Sequence, residues 1–217
     1  MDINKKVIIF DFDGTFYSGE EMFSKLPAYV NRHKREFLPN VTDEQYKEIV
    51  KNHPNWKTTI NGAELVDLIY LFKKEYPELD ISANDFWKWQ ESKPDPIVID
   101  PNYVVDHEFI EELCKHHPVY VVSNSSPNHI CYYMKKLNIN PEWFTEIISN
   151  KFTVKDRTKK HYYKHILDKE DCLPGNTFVF GDSIKSDLEP AIALGINTCH
   201  ITNANHIPAM VNQALSK

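Results

Sequence analysis

Val7-Ile8-Ile9-Phe10-Asp11-Phe12-Asp13-Gly14-Thr15 is the stretch whose reading decides the fold. Four apolar residues, rich in β-branched and aromatic types, run into two aspartates and then a glycine. So short and bounded a run predicts a buried strand. Parallel strands read as unbroken apolar runs because helices cover both faces of their sheet. Carboxylates at the C-terminal end of such a strand lie where open α/β sheets place their ligands. Alternation along a strand sends neighbours-but-one to the same face and adjacent residues to opposite faces. Where the strand breaks into the Gly14-Thr15 loop, Asp11 and Asp13 can still serve one site, by side chain or by carbonyl.

Working outward, the C-terminal half alternates strands and helices. Strands are predicted at Val119–Val122, Glu146–Ser149, Thr177–Phe180 and Asn197–Ile201. Helices are predicted at Asp106–His116, Pro127–Leu137, Lys159–Leu167 (capped by Thr158) and Asp187–Leu194, the last closed by Gly195 as a C-cap. Strands separated by helices imply a doubly wound parallel sheet, an α/β fold of Rossmann-like type. Residues 18–93 read differently. Helical patterns fall near 24–37, 42–51, 63–75 and 84–91, with no convincing buried strand, and Thr42-Asp43-Glu44-Gln45 has the form of a capping box. Pro94-Asp95-Pro96 and Pro101 mark the return to the sheet. The expected organisation is a core of residues 1–17 and 94–217 with an inserted helical domain, 18–93.

Composition narrows the function. The chain has 217 residues, 41% of them hydrophobic, which suffices for a packed core. A formal charge of -6 argues against a general nucleic-acid or membrane-surface binder. No apolar stretch approaches the ~18 residues of a membrane span. Met1–Lys6 lead straight into the first strand, so no secretory signal is expected and the location is expected to be cytoplasmic. Cys114, Cys131, Cys172 and Cys199 form no CxxC or Cys/His ligand pattern, and free thiols are expected.

Three apolar runs end in polar groups suited to a phosphate site: Asp11/Asp13, Ser123/Asn124 and Asp182/Asp187. In a parallel sheet these ends share one edge, so residues distant in sequence converge. Asp11, Asp13 and Asp182 supply hard oxygen ligands suited to Mg²⁺. Such a cluster repels a phosphate dianion unless a cation neutralises it. With Mg²⁺ present, a carboxylate can attack phosphorus and form an aspartyl-phosphate.

The chain resembles the haloacid dehalogenase superfamily. Asp11-Phe12-Asp13-Gly14-Thr15 matches its first motif, Val121-Val122-Ser123-Asn124 its second, and Gly181-Asp182-Ser183-Ile184-Lys185-Ser186-Asp187 its fourth. The resemblance implies roles. Asp11 would be the nucleophile and a Mg²⁺ ligand. Asp13 would be the acid that protonates the leaving alcohol and the base that activates water, its carbonyl on the metal. Ser123 and the Asn124 amide would bind the transferring phosphoryl. Asp182 would bind Mg²⁺, and Asp187 would support the metal shell or a lysine. The third motif departs from the family's Lys-Pro form. Lys155, Arg157, Lys159, Lys160 and Lys164 crowd the region; the inward-facing Tyr162-Tyr163 favours Lys159 as the lysine of catalysis and phosphate binding, with Lys160 as runner-up. The position of the insert, between first and second motifs, is that of a type 1 cap.

The resemblance therefore implies a Mg²⁺-dependent phosphatase of a small soluble phosphomonoester, and supports a sugar phosphate, a nucleoside monophosphate or phosphoglycolate equally as its class. The expected partner is such a small molecule, with no nucleic acid and no membrane, and the expected state is monomer or homodimer. A phosphomutase of the same superfamily is the alternative, and a non-catalytic phosphate-binding regulator stands behind it. Asp13 argues against the dehalogenases, which lack that acid. Plainer readings compete at single positions: a solvated turn at Asp11/Asp13, a helix-dipole charge at Asp187, a loop serine at Ser123, surface histidines at His161/His165, and core packing for Trp56, Phe86, Trp87 and Trp89.

Overall fold

The computed structural model describes residues 5–17, 36, 38–52, 69, 71–82, 99–125, 127–149 and 159–216. The chain divides into two compact units, Met1–Gly19 with Ile99–Lys217, and Glu20–Val98.

The first unit is built on β1 (Val7–Phe10), whose four residues are fully buried. The elements that follow are α2 (His107–His116), β2 (Val119–Ser123), α3 (Pro127–Lys136), β3 (Glu146–Ser149), α4 (Lys160–Glu170), β4 (Thr177–Gly181), β5 (Asn197–His200) and α5 (Ile207–Leu215); α1 (Asp43–Asn52) belongs to the second unit. The five strands form one sheet in the order β3-β2-β1-β4-β5, every pair parallel. This is the doubly wound arrangement expected from the alternation of strands and helices. Ile8 lies opposite Val119 on one side and Phe178 on the other. The strand order reverses direction at β1, so the topological switch point, where such sheets bind ligands, falls between β1 and β4.

Local chemistry explains most element ends. The Asp106 carboxylate accepts from the Glu108 and Phe109 amides and starts α2, which buries Ile110 and Leu113. Lys115 and His116 close its last turn, where cations suit the dipole. In the second unit, Gln45 N–H donates to Thr42 Oγ1 while Thr42 N–H donates to Gln45 Oε1, the reciprocal bonds of the expected capping box. Tyr46 stacks on Phe72, and the Tyr76 hydroxyl donates to Glu48. The helix expected near 24–37 (apart from Glu36), much of that at 63–75, that at 84–91 and the aromatics Trp56, Phe86, Trp87 and Trp89 lie outside the described residues, as does Thr158.

Three elements differ from expectation. The helix expected at Lys159–Leu167 runs to Glu170, where Asp171 takes a left-handed conformation (φ 48°) and ends it. The helix expected from Asp187 to Leu194 is instead a π-helical turn, Ile184–Leu188, feeding the short helix Glu189–Ile192. The wide turn is fixed at its start: Ser183 Oγ accepts from the Ser186 amide, and Asp187 reaches back to accept from the Ser183 amide at 3.0 Å. Gly195 still closes the segment, at φ +75°. Helix α5 was not anticipated, although Ile207, Val211 and Ala214 carry its buried stripe and Pro208 stands in its first turn.

One core cluster gathers Val7, Ile9, Tyr120, Val122, Tyr163, Ile166, Val179, Leu188 and Ile196. Replacing Ile9 with alanine should cost about 2–5 kcal/mol, the range for a large-to-small change in a packed core. Ile192→Ala, at a position 59% exposed, should stay within about 0.5 kcal/mol. Urea denaturation of both variants checks the contrast.

Candidate active site

The ends of β1, β2 and β4 converge as the fold requires. Asp11 follows β1 directly, and its amide donates to Phe180 O at 2.8 Å, carrying the β1–β4 ladder one residue past the strand. The chain then turns tightly, with the Thr15 and Phe16 amides both on Phe12 O. Gly14 sits at φ +82°, and a Cβ there would lie 2.7 Å from Asp182 Cγ. A side chain at position 14 would therefore be strained and would strike the carboxylate at the end of β4. Gly181 has a matching role: its Cβ would meet Asp187 Cβ at 2.7 Å. The two glycines let the carboxylates close on the sheet edge.

Lys159 lies at this centre, only 1% exposed. It is the residue before α4, and its Nζ is 2.5 Å from Asp11 Oδ1 and 2.8 Å from Asp187 Oδ1. Lys160, the other candidate, is exposed. Burial disfavours the Lys159 ammonium, but Asp11 and Asp187 outweigh burial and hold its pKa well above the ordinary lysine value. Thr15 Oγ1 donates to the second oxygen of Asp11 at 3.2 Å. Burial, with the like charges of Asp187 and Asp182, raises the Asp11 carboxyl against the pull of Lys159.

Oxygens of Asp11, Asp182 and Asp187 lie within 4.8 Å of one another. Burial first, and then the charge of Asp187, lift the Asp182 carboxyl to about 7. Three crowded carboxylates with this strain form a donor set that fits a hard divalent cation, which would relieve their repulsion. The His200 ring nitrogen Nε2 lies 2.8 Å from the Asp182 carbonyl and steadies the β4 exit from β5.

Asp13 is placed differently from the sequence expectation of an Asp11–Asp13–Asp182 carboxylate cluster. Its side chain turns to the β2–α3 segment. Oδ1 accepts from the Tyr17 hydroxyl and from His129 Nε2 at 2.7 Å; Oδ2 accepts from Ser125 Oγ at 2.5 Å and Ser123 Oγ at 3.4 Å. Burial alone would raise this carboxyl. The charge and hydrogen bond of His129, with Ser125 and Tyr17, more than offset burial and hold it at about 2. Ser123, buried at the end of β2, also accepts from the Ser125 amide. Asn124 follows it, half-buried at the same strand end.

Sequence reasoning missed Thr15, Tyr17, Ser125, His129 and His200 as neighbours of the site. A signal existed for His129. It falls in the first turn of the helix after β2, and that turn must lie at the edge where the aspartates sit. His161 and His165 are both exposed, and His116 pairs with Glu112 on the surface of α2. Cys114, Cys131, Cys172 and Cys199 form no disulfide.

Two outcomes follow from this geometry. Gly14→Ala should destabilise the protein by about 1–3 kcal/mol and displace the Asp182 carboxylate; thermal unfolding reads the first, and Mg²⁺ titration by calorimetry reads the second. A carboxyl whose folded pKa exceeds its unfolded value binds more protons folded, so its contribution to stability falls as pH rises between the two values. For Asp182 that window runs from the ordinary carboxylate range to about 7. Metal-free wild type should therefore lose melting temperature relative to Asp182→Asn between pH 5 and pH 8. Parallel melting curves for the two proteins would contradict the assignment.

No curated protein matches the chain by sequence. Among solved structures, a haloacid dehalogenase-like family hydrolase from Xanthomonas campestris aligns with a TM-score of 0.57 at 17% identity, covering 98% of this chain and 93% of that one. The HAD-hydrolase YfnB of Bacillus subtilis, bound to magnesium, aligns at 0.56 and 17% identity over 96% and 99% of the two chains. A predicted phosphoglycolate phosphatase from Haemophilus somnus 129pt gives 0.56 at 19% identity over 94% and 88%. At these identities the likeness speaks for the fold. The family itself rests on a model for haloacid dehalogenase-like hydrolases that matches residues 5–195, and the chain belongs to that family.

Proposed function

We propose that the protein is a Mg²⁺-dependent phosphatase that hydrolyses a small phosphomonoester through an aspartyl-phosphate on Asp11. The observation that carries this reading is Lys159. An ammonium 1% exposed between Asp11 and Asp187 is a fixed positive charge beside a carboxylate nucleophile, where an incoming phosphoryl group needs neutralising. Asp11, Asp182 and the carbonyl of Asp13 would hold the Mg²⁺, with Asp187 supporting them. The cation would supply Lewis-acid polarisation of the phosphoryl oxygens.

The residues divide the work as follows. Asp11 attacks phosphorus and the ester P–O bond breaks. Asp13 gives its proton to the departing alcohol oxygen. In the second half Asp13 takes a proton from water, which attacks the aspartyl-phosphate to release inorganic phosphate and free Asp11. The depressed pKa of Asp13 keeps it ionised at rest, the state that takes a proton in the second half. A phosphate dianion arriving beside it disfavours the charged form and shifts it towards the protonated form the first half needs. Ser123 and Asn124 orient the phosphoryl group. The support for phosphoryl transfer over dehalogenation is Asp13 itself.

Residues 20–98 enter between Asp13 and Ser123, the position of a type 1 cap, and we read that unit as the element that selects among sugar phosphates, nucleoside monophosphates and phosphoglycolate. The magnesium bound to YfnB and the phosphatase likeness of the Haemophilus protein agree with this reading.

Phosphate release from an aryl phosphate should require Mg²⁺ and stop with excess EDTA; release that persists in EDTA overturns the metal assignment. Asp11→Asn should abolish turnover. Lys159→Ala should lower kcat by about 10²–10³-fold, the scale for a lost charge-stabilising donor, while Lys160→Ala stays within about twofold. A phosphometabolite panel scored by phosphate release identifies the substrate class.

A further inference from the structure

We propose that Tyr17, Ser125 and His129 form a donor cradle that fixes the Asp13 carboxylate for proton transfer, which makes the three of them positioning residues of the reaction. The inference rests on the phosphatase reading above.

A carboxylate offers about four lone-pair sites. On Asp13 three close donors meet three of them: the Tyr17 hydroxyl and His129 Nε2 on Oδ1, and Ser125 Oγ on Oδ2. The Ser123 Oγ contact on Oδ2, at 3.4 Å, is long for an O–H···O bond and leaves the fourth site to the transferred proton. The donors come from two segments, the loop after β1 and the β2–α3 connection, so the carboxylate cannot rotate without breaking bonds to both. Tyr17 is 1% and His129 8% exposed, which leaves water little room to replace them.

The cradle is itself braced. Tyr133, one turn along α3 from His129, stacks on the Tyr17 ring at 5.4 Å between centroids and 17° between planes. The His129 ring lies 4.6 Å from the same tyrosine. The two donors to Oδ1 are thus both packed against one buried ring, with Phe12 edge-on to Tyr17 at 5.6 Å. Such order is more than the folding of a surface loop needs. Misplacing a reacting group by about 1 Å can cost ~10²-fold in rate, and Asp13 is the group that must meet the alcohol oxygen.

Positioning of an acid has a signature that general damage to the site lacks. A nitrophenolate leaves phosphorus without being protonated, whereas an alkoxide does not. The test measures alcohol release in a single turnover, with the full-length enzyme and Mg²⁺ in excess over 4-nitrophenyl phosphate or ethyl phosphate. Excess enzyme separates this step from hydrolysis of the aspartyl-phosphate. His129→Ala should lower the maximal rate on ethyl phosphate about 10–100-fold. On the aryl ester it should stay within about threefold, with half-saturation unchanged for both. His129→Gln, which keeps a donor near the Nε2 position, should recover most of the loss. Tyr17→Phe removes only the hydroxyl and keeps the stacked ring, so it tests the cradle without threatening the fold; it should show the same split. Asp13→Asn should show the split at full size. If Asp13→Asn splits the two esters while His129→Ala and Tyr17→Phe slow both equally or neither, the inference fails and the phosphatase reading stands. Wild-type protein inert towards both esters overturns that reading and the inference with it.

Discussion

A buried lysine shared by two carboxylates is the constraint on which the site depends. Lys159 precedes α4, Asp11 follows β1 and Asp187 lies in the π-helical turn after β4, so one ammonium ties three segments that are far apart in the chain. Burying such charges is costly unless each is paired and hydrogen-bonded. Here the net balance near the lysine is acidic, because Asp182 stands beside the pair. The surplus negative charge is a cost in the resting protein and an asset for holding a cation. A fold selected for stability alone would pair these charges evenly.

Meeting that constraint shapes the backbone around it. Gly14 and Gly181 are where carboxylates from β4 and the turn after it come within contact of the neighbouring main chain. The π-helical turn is the third device. A regular α-turn starting at Ser183 would present the carboxylate of residue 187 at another angle; the wider turn returns it to the Ser183 amide and the Lys159 ammonium. Wide turns of this kind are common at functional sites.

The strands and the first and fourth motifs were legible because each depends on local chemistry: an apolar run, then a carboxylate, then glycine. Lys159 was favoured over Lys160 through Tyr162-Tyr163, read as the inward-facing helix positions; of these Tyr163 is the buried one. What stayed hidden depends on packing across elements. Nothing in Ser183–Leu188 distinguishes a π-turn from the start of an α-helix, since the difference lies in the bond between Asp187 and a backbone amide. Histidines were read in sequence pairs, and His129, alone between Asn128 and Ile130, gave no pair to notice. Its partner Asp13 is on another strand end, and only the parallel register of β1 and β2 brings the two together.

The bridge between Tyr17 and Val104, with the Val105 amide on Phe16 O at 2.9 Å, pairs the two core segments that flank residues 20–98 in sequence. The core segments that lead into and out of the insert are thus held side by side by the core's own hydrogen bonds. The loop-closure entropy of the insert grows only slowly with its length, and this pairing already brings its flanking core segments together. The register of β1 with β2 and β4 is set by pairings that involve no residue of the insert. Change within residues 20–98 and preservation of the sheet edge are therefore separable in this chain at the level of covalent connectivity.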